Sequence, residues 1–269
     1  MIGKRIRLER VMDRGTRRTV LVPLVHGVGM GPIEGITDVL NTVDTVSLGG
    51  ANAVVLHKGI VAAGHRRGGA DIGLVIHLSA TCADGSQTLV TEVEEAVCLG
   101  ADAVSLRIEV GGADEDESLA LLGAVSRAAA DWGMPLLALM NPAPAPPAKT
   151  LKILMRAARI GAELGADLVL VPYHKRFAEV VAATPVPVVA IGGVKKTPPK
   201  QMLEMARAAV DAGAYGVSVG RTVFQYEKPG NMIKAICQVV HRKAAVKKAM
   251  EILARKPIES TLYGGTVIW

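Results

Sequence analysis

The chain has 269 residues, half of them apolar, and carries a formal net charge of +6. Its core must be aliphatic, because only two Phe, two Trp and four Tyr are present. That shortage of stacking aromatics argues against nucleic acid, and no uncharged apolar run of about 18 residues is available for a membrane span. The mild positive balance suits a small anionic ligand.

Met1 to Arg7 lacks the apolar stretch of a secretory signal. Residues 1–12 read instead as a short amphipathic helix. The predicted strands follow as Thr19–Val25, Ala53–His57, Leu74–His77, Ala103–Ile108, Pro135–Met140, Asp167–Val171, Val188–Ile191 and Gly216–Val219. Between them lie helical stripes, such as Ile36, Val39, Leu40 and Val43, or Leu151, Leu154, Met155 and Ala158. Thr91 with Glu94 has capping-box spacing. Thr197-Pro198 places a cap before a proline at the first helical position. Residues 141–149 form a proline-rich loop expected to be extended. Residues 256–269 follow the last helix as a tail.

One phrase recurs: Gly50-Ala51-Asn52-Ala53-Val54, Gly100-Ala101-Asp102-Ala103-Val104, Gly165-Ala166-Asp167-Leu168-Val169 and Gly213-Ala214-Tyr215-Gly216-Val217. Each copy is a helix ending on glycine, which accepts positive φ without a Cβ clash, followed by a strand buried on both faces. Four copies, with room for a strand between each pair, imply about eight βα units. The predicted architecture is α/β: a (β/α)8 TIM barrel over residues 1–255 with a short N-terminal helix. In that fold the chemistry sits at the C-terminal ends of the strands.

Those ends carry His26, His57-Lys58, His77, Arg107 with Glu109, Asn141, His174-Lys175, Gly192-Gly193 with Lys195, and Gly220-Arg221. Most of them bring cationic or imidazole groups to one rim, which suits an anion, phosphate first. Barrels often hold phosphate on the loops after the last two strands, here Gly192-Gly193 and Gly220-Arg221. Arg221 would add a charged contact. His57, His77, Arg107, Asn141 and Lys195 complete the expected binding set. No short ligand spacing supports a metal, and no cofactor is implied. Cys82, Cys98 and Cys237 fit neither a disulfide framework nor a zinc pair, so a reducing, cytoplasmic setting is expected.

The chain resembles the archaeal-type class I fructose-bisphosphate aldolase family, which includes the hept-ulosonate synthases. The resemblance rests on Gly3-Lys4-Arg5-Ile6-Arg7-Leu8-Glu9-Arg10, Val22-Pro23-Leu24-Val25-His26-Gly27, Gly49-Gly50-Ala51-Asn52-Ala53-Val54-Val55-Leu56-His57-Lys58-Gly59 and Val219-Gly220-Arg221-Thr222-Val223-Phe224-Gln225. It implies C–C bond chemistry on a phosphorylated or carboxylated small metabolite, and a homo-oligomer. The family works through a strand-six lysine, a strand-one aspartate and a strand-five tyrosine. On this chain those positions hold Leu170, Val25 and Asn141. Arg107 and Glu109 also stand where relatives carry less charged residues. Leucine cannot form an imine and valine cannot take a proton.

Three readings follow. The first is an enzyme with a rebuilt site, with Lys58 or Lys175 as alternative amines and His26, Glu109 and His174 as acid/base groups. The second is a silent homologue that binds a phosphorylated metabolite or a partner enzyme. The third is an ordinary Schiff-base aldolase with a slipped register, using Lys175.

Overall fold

The computed structural model describes residues 1–61, 72–82, 85–192 and 197–258. Gly193, Lys195 and most of the expected tail lie outside the described residues.

The described residues form ten strands: β1 (Thr19–Pro23), β2 (Ala53–Leu56), β3 (Gly73–His77), β4 (Ser79–Thr81), β5 (Gln87–Leu89), β6 (Ala103–Val110), β7 (Leu136–Pro142), β8 (Leu168–Pro172), β9 (Val188–Gly192) and β10 (Gly216–Val219). Eight of them close a barrel in the order β1-β10-β9-β8-β7-β6-β3-β2. Every neighbouring pair is parallel, including the closing pair β1 and β10, where Thr19 faces Gly216. This is the expected (β/α)8 barrel. The remaining strands, β4 and β5, form an antiparallel hairpin after β3, a feature the sequence reading did not anticipate.

The core divides as the two-residue period of a strand requires. Leu21, Ala53, Val55, Val75, Ala103, Leu137, Leu168, Leu170 and Val189 point inward and fill the barrel. Their neighbours, such as Val20, Val54, Leu74, Val104 and Val169, pack outward against the helices.

All four glycines that open the repeated phrase have positive φ, 97° at Gly50, 79° at Gly100, 96° at Gly165 and 93° at Gly213. The third residue of the phrase has a further role. Asn52 Oδ1 accepts the N–H of Val20, Asp102 Oδ2 that of Leu74, and Asp167 Oδ2 that of Leu136, all at 2.8–2.9 Å. Three of the four copies thus hold an amide at the start of the preceding barrel strand. The carboxylates also anchor the N-terminal helix Ile2–Val11. Lys4 pairs with Asp167 at 2.8 Å and Arg10 with Asp102 at 2.5 Å, and Val11 is fully buried against the interior cluster.

Several local expectations are corrected. The capping box at Thr91 and Glu94 does not form. The helix there is Val93–Cys98 with Glu92 at its N-cap, the Thr91 hydroxyl is buried without a partner among the described residues, and Glu94 instead accepts from the Trp132 indole at 2.9 Å. The helix after β9 starts one residue later than expected, with Pro199 at its first position. The proline-rich loop is shorter than expected: β7 extends to Pro142 and a helix starts at Pro147. Proline at a first helical turn loses no needed N–H, so Pro147 begins that helix.

Candidate active site

The C-terminal mouth of the barrel opens into a cavity of about 530 Å³. Its floor is aliphatic, built from Val25, Val55, Leu137, Leu139, Leu170 and Ile191. Leu170 is 3 % exposed and belongs to the interior cluster. The same wall carries Arg107 and Arg221 with His26, His77, Ser105 and Ser218. The tip of the β4–β5 hairpin contributes Thr81, Cys82 and Gly85.

His26 stands just past β1, at the head of a one-turn helix Gly27–Met30. Its ring meets Phe224 edge-on at 5.3 Å, and its Nδ1 is buried without a partner among the described residues. Burial first, and the Arg221 charge second, push its pKa down to about 4. Gly220 makes room for this ring, since a Cβ there would lie 3.2 Å from His26 Cε1. Arg221 has no carboxylate partner among the described residues.

His77 ends β3 and is 6 % exposed. Its Nδ1 lies 2.8 Å from the Ser105 hydroxyl, and Nε2 faces Ser79 Oγ at 3.4 Å. Burial, then the neighbouring His57 and Arg107, lower its pKa to about 3. It is a neutral imidazole that positions Ser105 on the cavity wall. The His57 ring lies tilted against it with centroids 5.6 Å apart, has its pKa lowered by burial, and is not among the cavity-lining residues.

Arg107 projects into the cavity from β6. Its Nε donates to Glu109 Oε1 at 2.6 Å, and Asn141 Nδ2 donates to Glu109 Oε2 at 2.5 Å. Glu109 and Asn141 are register partners across β6 and β7. They stand at the rim, one pleat beyond the cavity wall.

The other expected residues lie elsewhere. Lys58 sits in a single 3-10 turn, and its Nζ pairs with Glu95 at 3.1 Å on the exposed surface. Lys175 is exposed, and His174 Nδ1 accepts the Arg176 N–H at 3.1 Å. None of these three lines the cavity. Gly192 does line it, but its lack of a side chain serves the outer layer, where a Cβ would fall 1.9 Å from Met205 Cε. Ser105 and Ser218, which the strand ends alone do not reveal, stand one inward position back from those ends. Counting back by two from Arg107 and Gly220 along the inward face reaches both.

A closed parallel barrel with charged and imidazole groups gathered at its C-terminal mouth has the layout in which (β/α)8 enzymes place their active sites. Residues 19–226 match the DeoC/LacD family of aldolases, and the chain belongs to that family. It is 39% identical to 2-amino-3,7-dideoxy-D-threo-hept-6-ulosonate synthase 1 of Archaeoglobus fulgidus, over 93% of this chain and 96% of that protein. It is 33% identical to 2-amino-4,5-dihydroxy-6-oxo-7-(phosphonooxy)heptanoate synthase of Streptomyces griseus, over 89% and 90% of the two chains. Among solved structures, a Schiff base forming fructose-1,6-bisphosphate aldolase superposes with a TM-score of 0.79 at 25% identity, covering 88% of this chain and 99% of that one.

Proposed function

We propose that this chain is an aldolase-family enzyme that acts on a phosphorylated small metabolite through a rebuilt, non-imine site. The observation that carries the reading is Arg221, a half-buried residue on the cavity wall with no carboxylate partner among the described residues. An unpaired cation in that setting favours an anionic ligand, and a phosphate accepts two parallel hydrogen bonds from a guanidinium. The relative from Streptomyces griseus is named for a product that carries a phosphonooxy group.

Leu170 occupies the position where the resemblance puts the imine-forming lysine, and among the described residues no lysine lines the cavity. Chemistry there rests on groups that move protons or hold oxygens without covalent attachment. His26 and the Ser105–His77 pair are neutral hydrogen-bonding groups beside the cavity, suited to polarising a carbonyl. Glu109, bonded to the cavity-lining Arg107, is the candidate proton acceptor. The reading thus keeps His26 and Glu109 in catalytic roles. Lys58, His174 and Lys175 would have to act from outside the cavity wall.

The test uses dihydroxyacetone phosphate. The proposal expects the ligand to raise Tm, Arg221→Met to abolish that rise, and the enzyme to exchange the ligand's carbon-bound protons for deuterium, as followed by NMR. Borohydride should trap no adduct. An adduct on Lys175 would restore the Schiff-base reading, and no binding at all would refute the proposal. A silent binder is the second reading. It is favoured by Glu109, whose two oxygens are already engaged by Arg107 and Asn141. Binding without deuterium exchange or turnover would establish it.

A further inference from the structure

The end of the barrel opposite the cavity leaves an apolar patch in water. Eight large apolar side chains are exposed among the described residues, and four of them, Met1, Ile2, Ile6 and Trp132, belong to this end. Ile2 and Ile6 are four positions apart on the N-terminal helix and so share one of its faces. That helix lies against the turn after Trp132. A Cβ at Gly133 would come within 3.1 Å of Met1 Sδ, and Arg7 Nη1 donates to the Gly133 carbonyl at 3.3 Å.

Trp132 follows the helix Glu115–Asp131 as its C-cap. Its indole N–H donates to Glu94 at 2.9 Å, on the helix Val93–Cys98. The ring is therefore fixed at one angle in water, and a partner that covers it has little freedom left to remove. Single exposed apolar residues are ordinary. A group of them around a pinned tryptophan has the make-up of a contact surface.

The two helices that meet at this turn differ in charge. On the N-terminal helix Lys4 and Arg10 are neutralised by Asp167 and Asp102, whereas Arg5 and Arg7 have no carboxylate partner among the described residues. The helix that holds the indole carries Glu94 and Glu95 behind Glu92 and contains no basic residue. Glu92 is exposed and makes no capping bond. A surface with a cationic flank and an anionic flank is complementary to itself. A two-fold axis across the patch lays the basic helix of one copy over the acidic helix of the other.

We infer that this surface docks a second copy of the chain in a two-fold pair, with Ile2, Ile6 and Trp132 at its centre and Arg5 facing Glu92 at its rim. A stable interface takes about 20–30 residues a side, so the flanking helices share it with the apolar centre. The pair is joined back to back, and both cavities open away from the contact.

The experiment is sedimentation equilibrium at protein concentrations up to about 100 μM. The wild type should have twice the mass of the chain, or an even multiple of it. Trp132→Glu and Ile6→Glu alter exposed side chains, so each should keep the wild-type circular dichroism and halve the mass. Arg5→Glu and Glu92→Lys should each raise the dissociation constant about tenfold. The two together, which exchange the signs, should return it to within a few-fold of the wild type. A wild type that stays monomeric overturns the inference, as does an assembly whose mass neither Trp132→Glu nor Ile6→Glu changes. A double reversal that associates no better than either single one overturns the two-fold arrangement. A monomer that sediments with anionic phospholipid vesicles assigns the patch to a lipid surface and overturns the pairing.

Discussion

Acidification should destabilise this protein through its buried histidines, and His77 allows the size of the effect to be worked out. A histidine in the unfolded chain titrates near its ordinary value of 6.5, whereas burial holds His77 near 3. Between those values the unfolded chain binds a proton that the folded one does not. Stability therefore rises with pH across this window: it is fully present above 6.5 and is lost progressively as pH falls toward 3. At pH 5 the loss from His77 is about 2 kcal/mol, from about 1.4 kcal/mol per pH unit. His26, held near 4 by burial and Arg221, contributes in the same sense. In a barrel of this size, about 2 kcal/mol corresponds to a Tm lower by roughly 4–8 °C. The assay is urea unfolding at a series of pH values from 8 to 5, on the wild type and on His77→Asn. Asparagine can still bond to Ser105 but cannot take up a proton. The variant's stability should therefore depend less steeply on pH by about one proton, whatever its absolute stability. An unchanged slope in His77→Asn, or a flat wild-type profile between pH 8 and 5, would refute the argument.

Leu170→Lys should place an amine on the cavity floor, at a cost of about 2 kcal/mol from lost leucine burial. Borohydride with dihydroxyacetone phosphate should then give an adduct at that position by mass spectrometry, and a folded variant that is never trapped would show that position 170 does not face the bound carbonyl. Gly216→Ala should cost roughly 3 kcal/mol or more in chemical denaturation, because a Cβ there would meet the Thr19 carbonyl oxygen at 1.9 Å and part the strands that close the barrel. Thiol titration of the native protein should modify exposed Cys98 quickly and leave Cys237 unmodified until unfolding. Cys237 donates to the Gly50 carbonyl at 3.1 Å, and burial raises its pKa to about 12.

The barrel was legible because its strands are covered on both faces. Runs such as Ala53 to Leu56 and Leu168 to Val171 are apolar without alternation, and each repeated phrase marks a helix end by its glycine. The β4–β5 hairpin was not legible, since strands of three residues, half of them partly exposed, carry no hydrophobic period. At the site, Arg107, His77, His26 and Arg221 could be read from strand ends alone. Lys58 could not be placed that way. The chain turns immediately after Leu56, so the residue next to His57 leaves the barrel and meets Glu95. Glu95 lies 37 positions further on, a distance that no local pattern spans. The partnership of Asn141 with Glu109 likewise depends on the register between two strands, which neither strand's sequence records by itself.

The helix Ile2–Val11 shuts the far end of the barrel. Lys4 and Arg10 bolt it to the same two aspartates that secure strand starts, and Val11 seats as a stopper. Among the described residues this leaves the opposite mouth as the way in, so a ligand of the proposed site would depart along the path by which it arrived.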